Sequence, residues 1–182
     1  MGRLVLWRLD GVNRGMNDFT LNALAPKTDD RILEVGFGGG ALMGQILETG
    51  AALVAGTDVS EVALSRARKR YAAAADRPQL ARCGETALPF ADAAFTKACA
   101  VNGIYFWPDI GGRVQELRRV LEPGGRLVLC YSEAGPDGVP DFPPDRVEAV
   151  LIAAGFADVR TDTTYDRENG TYHRTVVVRS MA

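Results

Sequence analysis

The sequence predicts an α/β fold built on a mostly parallel seven-stranded sheet, and three observations support this prediction. A short apolar strand, Arg31–Val35, runs into a glycine-dense turn and then into a helix that begins at Ala41. Short apolar segments and amphipathic segments alternate after that helix, as expected for strands joined by helices. Two segments of alternating polar and apolar residues, 158–165 and 172–179, flank an Asn-Gly pair and predict a closing antiparallel hairpin.

Composition limits the classes to which this chain can belong. Its 182 residues, 47% hydrophobic and 24% charged, suit one domain with a sizeable core, residues 1–182. The net charge of −2 gives no basic surface for nucleic acid, and no apolar run is long enough to cross a bilayer. Cys83, Cys99 and Cys130 form no C-x-x-C pair, so we interpret them as reduced thiols of a cytoplasmic protein. The single histidine, His173, argues against a histidine-based metal site.

Residues 1–26 are predicted to form a short N-terminal cap. Apolar side chains recur at helical spacing over 12–24, and a proline follows. The simplest role of this helix is to cover one edge of the sheet. The alternative is a lid over a bound ligand, with Asn13, Arg14 and Asn17 as polar contacts.

Predicted strands and predicted helices alternate after the glycine turn. Further strands are predicted from short apolar runs at 52–56, 79–83, 95–101 and 126–131. The first predicted helix runs from Ala41 to a glycine cap at Gly50, and the second follows an N-cap at Ser60. Two more helices are predicted over 109–121 and, from an apolar face, over 147–154. In the last strand, we interpret His173 as an exposed sheet residue and not as a catalytic base.

Glycines crowd the turn that follows the first strand, in the order Glu34-Val-Gly36-Phe-Gly38-Gly-Gly40-Ala. Glycine is needed where the backbone takes a positive φ, or where a ligand comes too close for a Cβ. The spacing fits the dinucleotide pattern G-x-G-x-x-G/A, and it also fits an acid followed by glycines at alternate positions. An acid at the strand end repels a pyrophosphate but can hold a cationic amino group through water or main chain. A plain strand-to-helix turn is the remaining alternative.

Two other strand ends carry candidate ligand contacts. Asp58 ends the second predicted strand, where a carboxylate in a nucleoside-binding α/β domain accepts both ribose hydroxyls. A helix-entry aspartate is the alternative, and nicotinamide cofactors use an acid at the same place. The fourth strand is followed by Asn102 and by the aromatic residues Tyr105, Phe106 and Trp107. Tyr105 or Trp107 is a candidate wall of a substrate pocket, with packing beside a helix as the alternative.

An ordered set of landmarks connects these features. The set comprises the Glu34 glycine motif, Asp58, the Leu-Pro-Phe block 88–90, the Leu-x-Pro-Gly-Gly turn 121–125 and the terminal hairpin. This order resembles the class I S-adenosylmethionine-dependent methyltransferases, and most of all their ubiquinone/menaquinone-biosynthesis-like (methyltransferase type 11) group. The resemblance runs from Ile32 to the last strand. It implies a single Rossmann-like domain with helices on both faces of the sheet.

The resemblance also implies a cofactor, S-adenosyl-L-methionine, with S-adenosyl-L-homocysteine as its product. Glu34 then serves the amino-acid end and Asp58 the ribose. The family's aspartate for the adenine amino group falls on Gly84 here, so Glu85 takes that role and Thr86 offers its backbone N–H. The predicted cofactor-binding residues are Glu34, Gly36, Phe37, Gly38, Gly40, Asp58, Val59, Glu85, Thr86 and Asn102.

The implied reaction is attack by an O, N, S or C atom of a small-molecule acceptor on the sulfonium methyl group. Proximity and alignment can drive such a displacement, so no catalytic residue is assigned. Because the chain is short for such an enzyme, we expect a pocket that is open, suited to a large substrate or completed by a second subunit. The alternatives are a non-catalytic binding module or partner subunit and, on the glycine turn alone, a nicotinamide-dependent oxidoreductase.

Overall fold

The computed structural model of the protein describes residues 13–74, 77–84, 87–132, 142–166 and 171–181. Its helices are α1 (Arg14–Leu24), α2 (Ala41–Glu48), α3 (Glu61–Arg70), α4 (Ile110–Val120) and α5 (Pro144–Ala153). Its strands are β1 (Arg31–Val35), β2 (Leu53–Asp58), β3 (Gln79–Arg82), β4 (Phe95–Val101), β5 (Leu121–Ser132), β6 (Phe156–Asp166) and β7 (Thr171–Ser180). None of the helices in these ranges is long and apolar enough to cross a membrane.

The seven strands form one sheet in the order β3-β2-β1-β4-β5-β7-β6. The first five strands in this order are parallel to one another, whereas β7 runs antiparallel to both β5 and β6. This arrangement confirms the predicted fold class, including the antiparallel ending. The Asn-Gly turn predicted to join β6 to β7 lies outside the described residues.

Each face of the sheet is covered by its own set of helices. Apolar side chains of α1, α2 and α3 pack on one face, and those of α4 and α5 pack on the other. The strands between the two layers are buried on both sides, which explains why β1 and β4 read as nearly continuous apolar runs. The carboxyl ends of β1, β2 and β4 therefore meet at one edge of a sheet that is covered by helices on both faces.

The sequence suggests that helix α1 covers one edge of the sheet. The structure places this helix elsewhere. It packs over the inner strands β4, β5 and β7. Two cations hold its C-terminal end: Lys97 Nζ donates to the carbonyl of Ala25 at 2.6 Å, and Arg126 donates to the carbonyls of Ala23 and Leu24. Cations at a helix C-terminus satisfy carbonyls that have no partner within the helix. The cap is thus fixed at the amino ends of β4 and β5, opposite the ligand edge.

Strand β5 begins earlier than the sequence predicted. It was expected from Arg126, but Leu121 already pairs with Phe95, and the pairing then shifts to Lys97 with Arg126. The Pro-Gly-Gly segment forms the irregularity between these two pairs, and Gly124 takes a left-handed φ of +78° there. The segment therefore bends the strand without interrupting the sheet.

A buried ion pair supports the amino ends of β1 and β4. Lys97 Nζ lies 2.5 Å from Asp30 Oδ2, and both residues are buried. Thr96 Oγ1 donates to Asp30 Oδ1 at 2.8 Å, and the backbone N–H of Lys27 donates to Oδ2 at 2.7 Å. Burial raises the pKa of the Asp30 carboxyl, but these hydrogen bonds and the Lys97 charge outweigh it and hold the pKa below its usual value.

Replacing Lys97 by methionine should destabilise the fold by about 3–5 kcal/mol, because Asp30 would stay buried without its cation. Urea unfolding at neutral pH measures this loss. The matched control is Arg68→Ala, which breaks the exposed pair with Glu61 and should cost about 0–1 kcal/mol.

The pH dependence gives a second check on the same pair. A lowered aspartate pKa stabilises the fold fully above the unfolded-state pKa, and this contribution is lost as the pH falls through the native pKa. The difference in stability between wild type and Lys97→Met should therefore shrink in acid. A difference that stays constant with pH would contradict the role given to Asp30.

Candidate cofactor site

The predicted site residues on β1, β2 and β4 lie at the carboxyl edge of the sheet. The strand order reverses between β1 and β4, since the chain builds outward from β1 to β3 and then returns to the other side. In open α/β sheets, ligands bind at this switch point, beyond the carboxyl ends of the strands. The turn after β1 therefore occupies the place where a ligand is expected.

The glycine turn needs its glycines for conformation and for space. Gly36, Gly38 and Gly40 have φ values of +76°, +53° and +78°. A Cβ built on Gly36 or Gly38 would meet no atom of the described residues within 4 Å apart from the glycine's own chain neighbours, so the turn faces open space. The backbone N–H groups of Gly36 and Phe37 donate to the Thr57 carbonyl at 2.7 and 3.3 Å, which ties the turn to β2. The turn is a rigid cradle with room above it.

Phe37 and Val59, two further predicted cofactor contacts, differ in exposure. Phe37 is buried, and its ring packs where a Cβ on Gly56 would stand only 2.8 Å away. Its prediction as a cofactor contact is therefore limited to its main chain. Val59 is 62% exposed directly after β2, and its carbonyl accepts a hydrogen bond from Arg82 Nε at 3.2 Å.

Asp58 is fixed across the glycine turn. Its Oδ2 accepts the backbone N–H of Gly38 at 2.8 Å, and its Oδ1 accepts the backbone N–H of Ser60 at 2.8 Å. Each carboxylate oxygen retains capacity for a further hydrogen bond. The carboxylate is thus oriented by main-chain donors and remains able to accept hydroxyl donors.

Glu34 is a buried acid at the end of β1, with only 4% of its surface exposed. It stands opposite Gly56 of β2 and Cys99 of β4 in the sheet register. Burial raises the pKa of the Cys99 thiol, and the negative charge of Glu34 raises it further. Glu34 therefore lies inside the switch point beside a thiol whose pKa is raised.

Asn102 joins three elements at the end of β4. Its backbone takes a left-handed φ of +51°, its Nδ2 donates to Asn13 Oδ1 at 2.9 Å, and its Oδ1 accepts the Ser132 N–H at 3.1 Å. The side chain predicted to contact a cofactor thus connects α1 to β5. Sequence reasoning missed this connection, although an Asn-Gly pair after a strand is typical of a left-handed turn.

The aromatic residues after β4 form a rim with two half-buried rings and one exposed ring. Tyr105 and Trp107 pack against the apolar core, whereas Phe106 is 71% exposed. The Tyr105 hydroxyl donates to the Ser132 carbonyl, and its ring meets Phe142 edge to face at 5.7 Å. Burial raises the pKa of Tyr105, so its hydroxyl stays protonated near neutral pH.

His173 is buried, and the expectation of an exposed sheet residue is wrong. Only 2% of its surface is exposed, and it stands opposite Ser132 in the pairing of β7 with β5. Period-two alternation could not show this, because α1 covers that face of the sheet from a distant part of the chain. Glu85 and Thr86 lie outside the described residues. Within the described ranges, no cluster of three His, Cys, Asp or Glu side chains could hold a metal ion.

Comparison with known proteins fits this geometry. The methyltransferase domain family matches residues 33–129, which run from β1 through most of β5. The uncharacterized methyltransferase YdaC of Bacillus subtilis (strain 168) is 31% identical over 155 residues, covering 81% of this chain and 82% of that protein.

A second relative is named for quinone biosynthesis. The ubiquinone/menaquinone biosynthesis C-methyltransferase UbiE of Paracoccus denitrificans (strain Pd 1222) is 36% identical over 127 residues. That match covers 68% of this chain, but the chain spans only about half, 51%, of the Paracoccus protein.

A solved structure shares the fold. The Haemonchus contortus phosphoethanolamine N-methyltransferase 2, in complex with S-adenosyl-L-methionine, superposes with a TM-score of 0.78 at 17% identity. The superposition covers 93% of this chain and 53% of that one. Together, the family match and the relatives confirm the resemblance found in the sequence and favour it over the oxidoreductase alternative. The chain belongs to the methyltransferase domain family.

Proposed function

We propose that this chain binds S-adenosyl-L-methionine in the cradle between β1 and β2 and transfers its methyl group to a small-molecule acceptor. The observation that carries the proposal is the Asp58 carboxylate, held by the N–H groups of Gly38 and Ser60 at the edge of an open glycine turn. A carboxylate in this position suits the paired hydroxyls of a ribose. The open space at Gly36 and Gly38 suits a ligand that lies directly on the backbone.

The residues around the cradle fit the rest of the cofactor. Glu34 supplies negative charge for the amino group of the amino-acid end, acting through water or main chain. The main chains of Val59 and Asn102 border the same edge, since each follows a strand end. Glu85 and Thr86 are proposed for the adenine, as the resemblance implies.

When bound, the cofactor would supply a methyl group on a sulfonium centre: an O, N, S or C atom of the acceptor would bond to the methyl carbon as the C–S bond breaks and S-adenosyl-L-homocysteine leaves. The chain contributes binding and alignment, which can supply much of the rate enhancement of such a displacement. Tyr105 is not assigned the role of a general base, because its hydroxyl already donates to the Ser132 carbonyl. No other residue is assigned a catalytic role.

The acceptor is proposed to lie against the aromatic rim at the ends of β4 and β5. Half-buried Tyr105 and Trp107 offer an apolar wall, and aromatic faces also attract a sulfonium cation. If the pocket is open on that side, it suits a large acceptor or is completed by a second copy of the chain.

Calorimetry tests the cofactor directly. We expect S-adenosyl-L-homocysteine to bind the wild-type protein, and we expect NAD⁺ not to bind. Binding of NAD⁺ in place of S-adenosyl-L-homocysteine would overturn the proposal. Cofactor binding without methyl transfer to any member of a panel of phenols, amines, thiols and quinols would favour a non-catalytic binding module or partner subunit.

Replacing Gly38 by alanine should lower the affinity for S-adenosyl-L-homocysteine at least about tenfold, because the new Cβ would project into the cradle. The positive φ of Gly38 adds a stability cost of about 1–2 kcal/mol. Gly124→Ala is the matched control, since Gly124 has a φ of +78°, equally open surroundings and a position outside the site. Both variants should lose similar stability, and equal affinities would show that the Gly38 turn is only structural.

Replacing Tyr105 or Trp107 by alanine separates a pocket wall from a core contact. If the ring lines the acceptor pocket, turnover should fall much more than cofactor affinity, since small misplacements of an acceptor cost large factors in rate. If the ring serves the core, the variant should lose about 3–5 kcal/mol of stability. Thermal unfolding, calorimetry and turnover on each variant measure these effects. Strong destabilisation by both changes would remove the rim from the proposed acceptor site.

A further inference from the structure

One face of α4 is polar and meets the segment that follows β3. Arg113, Glu116 and Arg119 stand three residues apart on this helix, so they share one face. All three contact residues between Cys83 and Asp92, mostly through the main chain. This segment leaves the carboxyl end of β3, beside the proposed nucleoside end of the cradle.

Glu116 and Arg119 hold the far part of the segment. Glu116 Oε2 accepts the Leu88 N–H at 2.7 Å, while Arg119 donates to the carbonyls of Leu88 and Phe90 at 3.0 and 2.9 Å. Arg119 also donates to both Glu116 oxygens at 2.9 Å. The Arg119 hydrogen bonds lower the pKa of Glu116, so the pair stays charged at neutral pH. These contacts suffice to dock the Leu-Pro-Phe block on α4.

Arg113 holds the near part of the segment, next to Asp58. Its Nη2 donates to the Gly84 carbonyl, and its Nη1 lies 3.9 Å from Cys83 Sγ. From the other side, the backbone N–H of Cys83 donates to the Asp58 carbonyl at 3.1 Å. Cys83 and Gly84 are thus held between the guanidinium and the residue proposed to bind the ribose.

The burial of Arg113 is costly for a residue that only stabilises the fold. The residue is 6% exposed, and its Nε finds no hydrogen-bond partner among the described residues. A buried donor without a partner costs free energy, and an apolar side chain of similar volume often stabilises an interior site as well or better. The planar guanidinium does offer two donors in a fixed geometry, which suits it to set the position of a main-chain carbonyl.

We propose that Arg113 is a positioning residue for the nucleoside half of the cofactor, acting through Gly84 and Cys83. This inference rests on the proposed function. By holding Cys83 and Gly84 against Asp58, Arg113 sets the distance between the ribose acceptor and the end of β3, after which the residues proposed for the adenine follow in the chain. It touches neither the reacting atoms nor the sulfonium end. Its effect therefore falls on nucleoside recognition and on the discrimination between bases.

The test compares two ligands that differ only at the base. S-adenosyl-L-homocysteine carries the 6-amino group of adenine, and S-inosyl-L-homocysteine carries an oxo group in its place. In Arg113→Met, we expect the affinity for the adenosyl ligand to fall about tenfold and that for the inosyl ligand to fall much less, because an adenine-specific contact depends on the position of the end of β3. The preference for adenine should therefore collapse.

Two further variants make the result decisive. Arg113→Lys keeps the charge and most of the volume but lacks the planar fork, so it should fold as wild type does and lose part of the adenine preference. Arg118→Met is the matched control, because Arg118 lies on the same helix and donates to the carbonyls of Gly155 and Met181, away from the cradle. It should lower the melting temperature without changing either affinity.

The outcomes separate the inference from the proposed function. If the wild-type protein fails to bind S-adenosyl-L-homocysteine, the proposed function fails. If it binds, and both Arg113 variants keep the wild-type preference for adenine, the positioning role is overturned. An equal loss of affinity for both ligands in Arg113→Met, accompanied by a lower melting temperature, would likewise assign Arg113 to stability alone.

Discussion

The contact between Asp58 and the Gly38 N–H is the interaction on which the site depends. It joins the end of β2 to the turn after β1, so the two strand ends and the cradle between them are directly connected. The Thr57 carbonyl reinforces the same connection by accepting two N–H groups of the turn. Because main-chain donors orient the carboxylate in advance, ligand hydroxyls would meet an acceptor that needs little reorganisation.

The opposite end of the sheet carries the polar groups that keep this edge in place. The Lys97–Asp30 pair and Arg126 fasten the C-terminal end of α1 near the amino ends of β4 and β5. At the other end of the helix, Asn13 reaches Asn102 beside the candidate site. Helix α1 is therefore held at both ends and spans the face of the sheet from its amino edge to its ligand edge. Helix α1 thus stabilises the sheet and also borders the candidate site.

The polar face of α4 supports the chain segment after β3, beside the proposed nucleoside end of the cradle. Glu116 and Arg119 contact the main chain of Leu88, and Arg113 reaches the end of β3. Loops that bind ligands need external support, since their own hydrogen bonds do not fix them as a strand ladder would. Here the support comes from side chains of a neighbouring helix, which contact mostly main-chain atoms, with Arg119 also pairing with the Asp92 carboxylate.

The sequence by itself determined the strand and helix order, the left-handed glycine turn and the acids at the ends of β1 and β2. These features are local: apolar periodicity, glycine conformation and position along a strand can all be read within a few residues. The tertiary structure decided the burial of His173, the inward turn of Phe37, the Asn13–Asn102 bond and the reach of Arg113 to Gly84. The two bonds join residues 89 and 29 positions apart, and such pairs become neighbours only when helices pack across the sheet.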